Sequence, residues 1–382
     1  MEYLTPWPPA AAAASPVSPA PHADPVLAET VPVPPPRRRR RQNQATAPLH
    51  LSAVQVLALV GLLPLAATVI GWAALGRHRQ PALAPARRRG RPSIYSAASI
   101  VVLALLGRLW QLSTREMCDW LDRWPALATA CGLPPGRVIH PAHLSRRIKQ
   151  LGAFPCWLLY LALVWHVLRG GLATGRDVAL DSTLLAAWSR HDPDAAWSYP
   201  SKHHGRVFGY KVHVLLDRFA RLPLFFLISP ANRNDLPFAY PLLAAARFVL
   251  GVPVRVVRAD GAYWGWHLVQ WIVTVLRARP IIPFNRKKQP LARVRHLVWS
   301  GLSYAARAII ERFFGVAKRY YGLDTQYALG WEAVVRHVTL TMCAVLVVAL
   351  AAQRAGAPEL RLSPSRVLAH YQPVNPRCPC CL

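Results

Sequence analysis

Between residues 177 and 284 the hydrophobic pattern changes period in an order that few folds accommodate. Residues 177–182 read as a short apolar strand that ends around Asp181. Residues 210–216 alternate every second position, and residues 222–229 read as a further strand after the polar turn Asp217 to Arg221. A helical pattern over 236–250 leads to the β-branched run Val254-Arg-Val-Val-Arg-Ala-Asp260. Gly261 then permits a sharp exit from that strand. A second helix over 265–277 and a strand over 279–284 follow. Three antiparallel strands, then helix and strand in alternation, imply an α/β chain with a mixed sheet.

Downstream lies an amphipathic helix, Tyr304-Ala-Ala-Arg307-Ala-Ile-Ile-Glu311-Arg-Phe-Phe-Gly-Val-Ala-Lys318. At about 100° per residue, Tyr304, Arg307, Glu311 and Lys318 share a sector of roughly 60°. Ile309, Phe313, Val316, Ala317 and Tyr320 face the other way and are expected to pack on a core. Two readings are open at this point: a surface helix with an i, i+4 charge pair, or a functional stripe.

The spacing Tyr304, two residues, Arg307, three residues, Glu311, six residues, Lys318 resembles the signature of insertion-sequence transposases of the DDE superfamily. Asp260-Gly-Ala-Tyr263 is similar to the family's Asp-x-Gly-Tyr block, with the glycine one place early. The resemblance covers residues 92–352 and implies an RNase H-like catalytic domain behind a small all-α, helix-turn-helix-like DNA-binding module. It also implies that Asp181, Asp260 and Glu311 are the catalytic, metal-binding carboxylates. The first and fourth strands of such a sheet run parallel, which would bring Asp181 and Asp260 together. Hard oxygen donors of this kind suit Mg²⁺ or Mn²⁺, and two ions are expected.

The chain carries 46 Lys+Arg against 17 Asp+Glu, a formal net charge of +29, which points to a polyanionic partner. DNA is that expected partner, as transposon terminal repeats and target. A homodimer or higher oligomer is expected in the synaptic complex, a membrane is not expected, and the expected location is cytoplasmic, at the nucleoid. Tyr304, Arg307 and Lys318, with Lys202, Arg206 and Lys211 and the basic run Arg146, Arg147 and Lys149, are the candidate phosphate contacts. Trp188 and Trp197 are candidates for stacking on an unpaired base, against the plainer reading that they shield a core.

Along the chain, residues 1–46 form a Pro/Ala-rich tail ending in Arg37 to Arg41, expected to be disordered. Residues 47–91 hold an uncharged apolar stretch (51–75) and a basic linker. That stretch is long enough to span a bilayer, and a buried helical hairpin is the alternative. Residues 92–170 form the helical module, with Ser113 and Glu116 spaced as a capping box. Residues 174–353 form the catalytic domain and 354–382 a tail. Cys118, Cys131, Cys156 and Cys343 sit in apolar surroundings and read as buried thiols, while Cys378, Cys380 and Cys381 have no partner set at zinc spacing. Asp192, Asp194 and Asp217 compete with the three carboxylates, and Asp235 has two readings, support of the site or, the favoured one, a cap on the helix that follows it. The expected function is a DNA transposase that cleaves transposon ends and joins the 3′-OH to target DNA. The rival is a basic DNA-binding protein, with or without a membrane tether, whose centre is inactive.

Overall fold

The pairing of β1 (Asp177–Ala186) explains most of the sheet. One edge of β1 runs antiparallel to β3 (Phe208–Asp217), from Val178↔Asp217 to Ala186↔Gly209. Its other edge runs parallel to β5 (Val256–Arg258) over three pairs. β3 also pairs antiparallel with β4 (Pro223–Pro230) and with the two-residue β2 (Ala196–Trp197). β5 pairs parallel with β6 (Arg279–Ile281). Setting β2 aside, the order β4-β3-β1-β5-β6 is that of an RNase H-like mixed sheet. The computed structural model describes residues 49, 51–78, 94–199, 205–283, 308–325 and 327–369.

The β3–β4 hairpin closes through Asp217, whose buried carboxylate accepts from the amides of Thr174, Gly175 and Ala220. Asp217 is therefore a turn residue and no rival for the metal. α8 (Leu236–Ala244) follows β4, and its Phe238 stacks on His213 of β3 at 4.0 Å. α9 (Trp266–Thr274) is the crossover between β5 and β6.

α10 (Ala308–Tyr321) packs on β1. Its buried residues are Ile310, Phe313, Phe314, Ala317 and Tyr321, whereas Tyr320 is exposed. The buried stripe is thus rotated from the one the sequence suggested. α10 is wedged between β1 and α11 (Trp331–Arg354), so it buries a second flank that a one-sided helix would leave in water.

α11 is long and apolar enough to cross a bilayer, yet 83% of its apolar window lies inside the fold. Two aspartates from the loop after β1 hold its start. Asp192 accepts from the Gly330 amide at 3.1 Å and from Tyr210 Oη at 2.8 Å, and Asp194 accepts from the Trp331 amide at 2.7 Å. Both satisfy helix-start donors and complement the positive end of the helix. They too are structural.

The helices before the sheet join the same core. α1 (Ala53–Val60) and α2 (Leu62–His78) meet at Gly61, whose left-handed φ of 60° breaks the run. They bend by 53°, so the apolar stretch is a kinked pair and no antiparallel hairpin. α3 (Ala97–Leu109) is buried along most of its length and crosses α4 (Thr114–Arg123) at 105°. The expected capping box forms: Glu116 N donates to Ser113 Oγ and Ser113 N to Glu116 Oε2. α5 (Pro125–Ala130) and the basic α6 (Pro141–Leu151) follow. α7 (Phe154–Arg169) reaches β4, where Trp157 meets Phe226 at 4.7 Å and Tyr160 Oη donates to Pro223 O. α11 packs on α7, α3 and α1. The change of pattern near Gly170 is therefore a change of secondary structure inside one packed unit, residues 48–382. α12 (Pro364–Leu368) completes it. Cys118, Cys131, Cys156 and Cys343 are buried free thiols, and burial pushes Cys131 and Cys156 up to about 12. The Cys378, Cys380 and Cys381 tail lies outside the described residues.

Two core histidines set an acid limit. Burial lowers His213 to about 4, although Asp235 pulls the other way. Burial, with Arg108 nearby, lowers His337 to about 3. Unfolding releases both to an ordinary value near 6.5, so between those limits the unfolded chain binds more protons. Stability is complete above about pH 6.5 and falls with acidification, by up to about 1.4 kcal/mol per pH unit for each histidine. Urea unfolding at pH 7 and 4.5 checks this. The loss should shrink in His213→Gln, and an equal loss there would remove His213 as a cause.

Candidate active site at the ends of the parallel strands

The site is a consequence of register. The parallel pairs Asp177↔Val256, Val178↔Val257 and Ala179↔Arg258 share one offset, and Asp181 and Asp260 are separated by the same offset. Carried two residues past the last pair, it sets the two aspartates opposite each other on one face, since parallel partners point the same way. β5 stops at Arg258, and the chain turns through a 3-10 segment, Gly261–Tyr263, capped by Asp260. Asp260 Oδ1 accepts from Ala262 N at 2.8 Å. β1 does not stop at Asp181 as its composition suggested. It continues to Ala186 because β3 still pairs with it, Asp181 lying across from Val214. Asp181 Oδ1 accepts from Ser182 N at 2.8 Å. Both aspartates are half-buried.

Glu311 sits in the first turn of α10 and is exposed. Lys318, two turns further on, donates Nζ to Leu184 O of β1 at 3.2 Å. Lys318 is thus a tie between helix and strand. Lys211 is also committed within the fold. Its Nζ donates to Arg233 O at 2.8 Å and lies 3.1 Å from Asp235 Oδ1. Arg206, Arg146 and Lys149 are exposed, and Arg147 is half-buried beside Gln150. Tyr304, Arg307 and Lys202 lie outside the described residues. Trp188 and Trp197 are exposed, Trp188 edge-on to Tyr327 at 4.7 Å.

Asp235 departs from the cap reading. It precedes α8 but makes no side-chain cap. Its backbone is already in the helical region, so the carboxylate turns instead to the sheet, where Ser182 Oγ donates to it at 2.8 Å. His213 Nδ1 lies 3.5 Å from the same oxygen, and His213 Nε2 pairs with Ser229 Oγ. Ser182 pairs with His213 across the ladder while Asp181 pairs with Val214. This cluster therefore occupies the sheet face opposite Asp181. Tyr263 is buried at the same end. Burial raises its hydroxyl well above the usual value, and the charges of Asp235, Asp181 and Asp260 add to that.

A further feature was not anticipated. Arg258 donates Nε and Nη2 to the two oxygens of Asp177, at 2.8 and 2.9 Å, and Arg218 Nη1 donates to Asp177 at 3.2 Å. The only signal in the sequence was an arginine inside a β-branched strand, with an aspartate opening the first strand.

The aspartate pair fits a divalent cation: hard oxygen donors, matched in register and half-shielded from water. Among the described residues no three His, Cys, Asp or Glu side chains stand close enough together to hold a metal ion. The fit therefore rests on Asp181 and Asp260.

Residues 173–347 match the family model described as transposase DDE domain. No curated protein matches the sequence. Two solved structures are similar at low score. One is a pre-cleavage Mos1 transpososome, with 8% identity and a TM-score of 0.20, covering 71% of this chain and 82% of that one. The other is a Mos1 transposase paired-end complex with left transposon end, with 10% identity and a TM-score of 0.20, covering 73% and 85%. The matched segment, residues 173–347, contains the whole described sheet and is similar to a transposase DDE domain.

Proposed function

We propose that this chain is a transposase that cleaves the ends of a DNA element and joins the freed 3′-OH to target DNA, with Asp181, Asp260 and Glu311 as the catalytic carboxylates. The observation that carries the reading is the shared offset of the β1–β5 ladder and of the aspartate pair. Glu311 is assigned as third ligand because α10 lies against β1 and Lys318 fixes it there. A pair of Mg²⁺ or Mn²⁺ ions bound at such a site would favour attack and departure of oxygen in in-line phosphoryl transfer. The first step is attack of water on a terminal phosphodiester, which releases a 3′-OH and a 5′-phosphate. The second is attack of that 3′-OH on a target phosphodiester, which forms one bond and breaks one. The protein's part is to hold both reacting oxygens in line.

The charge of +29 supports a DNA partner, and Arg146, Lys149 and Arg206 offer exposed cations for its backbone. Arg307 is assigned to a phosphate near the site. Assembly on paired ends as a homodimer or larger oligomer, and action at the nucleoid in the cytoplasm, belong to the same reading.

The DNA flanking the gene supplies the substrate if it carries inverted repeats. On that substrate, Asp181→Asn, Asp260→Asn and Glu311→Gln should each slow single-turnover cleavage at least about a hundredfold, or ~2.7 kcal/mol of barrier, with end binding retained. Wild-type cleavage in any one removes that residue from the site.

Arg146→Ala and Lys149→Ala should each flatten the salt dependence of DNA binding by about one unit of slope, the share of one phosphate neutralised by one cation. An unchanged slope would exclude that helix face from the DNA. Lys318→Met should behave differently, lowering stability by about 1–3 kcal/mol because the charged hydrogen bond to Leu184 O is gone, with DNA affinity unchanged. Weaker DNA binding at unchanged stability would return Lys318 to the phosphate-binding set.

A further inference from the structure

The reverse face of the sheet carries a polar cluster that the reaction itself does not use. Ser182 of β1, Lys211 and His213 of β3 and Asp235 at the start of α8 meet there, joined at 2.8 Å (Ser182 to Asp235), 3.1 Å (Lys211 to Asp235) and 3.5 Å (His213 to Asp235). Tyr263 enters from the turn after Asp260. Its hydroxyl is buried and makes no well-formed hydrogen bond, though Ser182 is near enough to favour its ionised form slightly. A buried hydroxyl left in this way costs about 1–3 kcal/mol and calls for a reason.

The reason lies in what the cluster connects. Ser182 is the residue whose amide holds Asp181 Oδ1. Tyr263 ends the turn whose first residue is Asp260, and Tyr263 N donates to Asp260 O at 3.2 Å. Regular pairing between β1 and β5 has already ended at Ala179↔Arg258. Beyond that pair the ladder no longer fixes the distance between the two aspartates, and the cluster behind them spans the gap.

We propose that Ser182, Asp235 and Tyr263 are positioning residues that set the spacing of Asp181 and Asp260 for a shared divalent cation. Asp235 locks the Ser182 side chain, and with it the part of β1 that carries Asp181. Tyr263 fills the space behind the turn that begins at Asp260, with its hydroxyl buried there. The inference rests on the proposed function, because it takes the aspartate pair as the cation site.

The test is Mn²⁺ alone, titrated into the full chain and read as bound ion by electron paramagnetic resonance. Thermal unfolding of each variant is followed in parallel. Wild type should bind, and Asp181→Asn should lose most of that binding. If wild type binds no Mn²⁺, or Asp181→Asn binds as wild type does, the cation site and this inference fall together. Given a wild-type site, Tyr263→Phe should weaken Mn²⁺ binding by about 10- to 100-fold, the usual range for an outer-shell partner. It should melt no lower than wild type, because it removes a hydroxyl that is not well bonded. A purely structural tyrosine would leave Mn²⁺ affinity untouched, and that result overturns the proposal while the aspartate site stands. Should Tyr263→Phe fail to fold, Ser182→Ala decides by the same readout: weaker Mn²⁺ binding supports the proposal and unchanged affinity overturns it.

Discussion

Three parallel pairs between β1 and β5 carry the geometry of the site, and a buried ion pair fixes them. Side chains alternate between sheet faces, so a slip of one residue would send Asp260 to the face opposite Asp181. A three-pair ladder is a weak determinant of register. The fork of Arg258 on both oxygens of Asp177 joins residues two pairs apart on the same face, with Arg218 added from the β3–β4 turn. A buried pair of this kind adds little net stability over an apolar replacement, because desolvation offsets the attraction. Its worth is in specificity: in a slipped register the fork would no longer meet its carboxylate. The ion pair thus acts on the site from the far end of the ladder.

The elements themselves were legible. The strands at 177, 210, 222 and 279 were expected from the hydrophobic pattern and lie within a few residues of their places. The aspartates were legible as a pair because the RNase H-like sheet that the resemblance implies makes its first and fourth strands neighbours. What the sequence did not disclose is where each polar side chain goes. Asp235 stands where a helix cap would, yet it serves the sheet, since Ser182 and Lys211 come from strands remote in sequence. Lys211 and Lys318 read as free cations, and both end on partners that only tertiary packing supplies. The rotated buried face of α10 has the same origin. Helical periodicity finds an apolar stripe, but two flanking neighbours decide how wide it becomes.

Scarcity of acid residues sharpens this. In a chain with 17 carboxylates against 46 cations, each carboxylate has many potential partners. Several are used at backbone amides instead, where they replace secondary-structure partners: Asp192 and Asp194 at α11, Asp217 in the hairpin, Glu116 at α4 and Glu332 at the Ala153 amide before α7. These bonds need a fixed geometry that a mobile lysine would not supply. The competitors for the metal role are thereby removed one by one on structural grounds. Asp181 and Asp260 also accept from a backbone amide each, but from residues one and two places further along the chain. Such a local bond orients the carboxylate relative to its own strand or turn.

The longest apolar helix shows why hydropathy alone misdirects here. α11 has the length and composition of a membrane span, and the α1–α2 pair passes the same test when taken together. Their apolar surfaces meet each other and α3 and α7 inside the fold. A helix that is hydrophobic all round must be surrounded, and hydrocarbon and protein core satisfy that need equally well. The distinction comes from its polar neighbours. Asp192 and Asp194 reach the start of α11 from the loop after β1, and Glu332 in its first turn reaches the start of α7. Those bonds bind the helix to the sheet on one side and to the helical layer on the other. The same helix backs α10, which carries Glu311. The apolar run therefore supports the site as the central post against which the sheet, α7 and the Glu311 helix are packed.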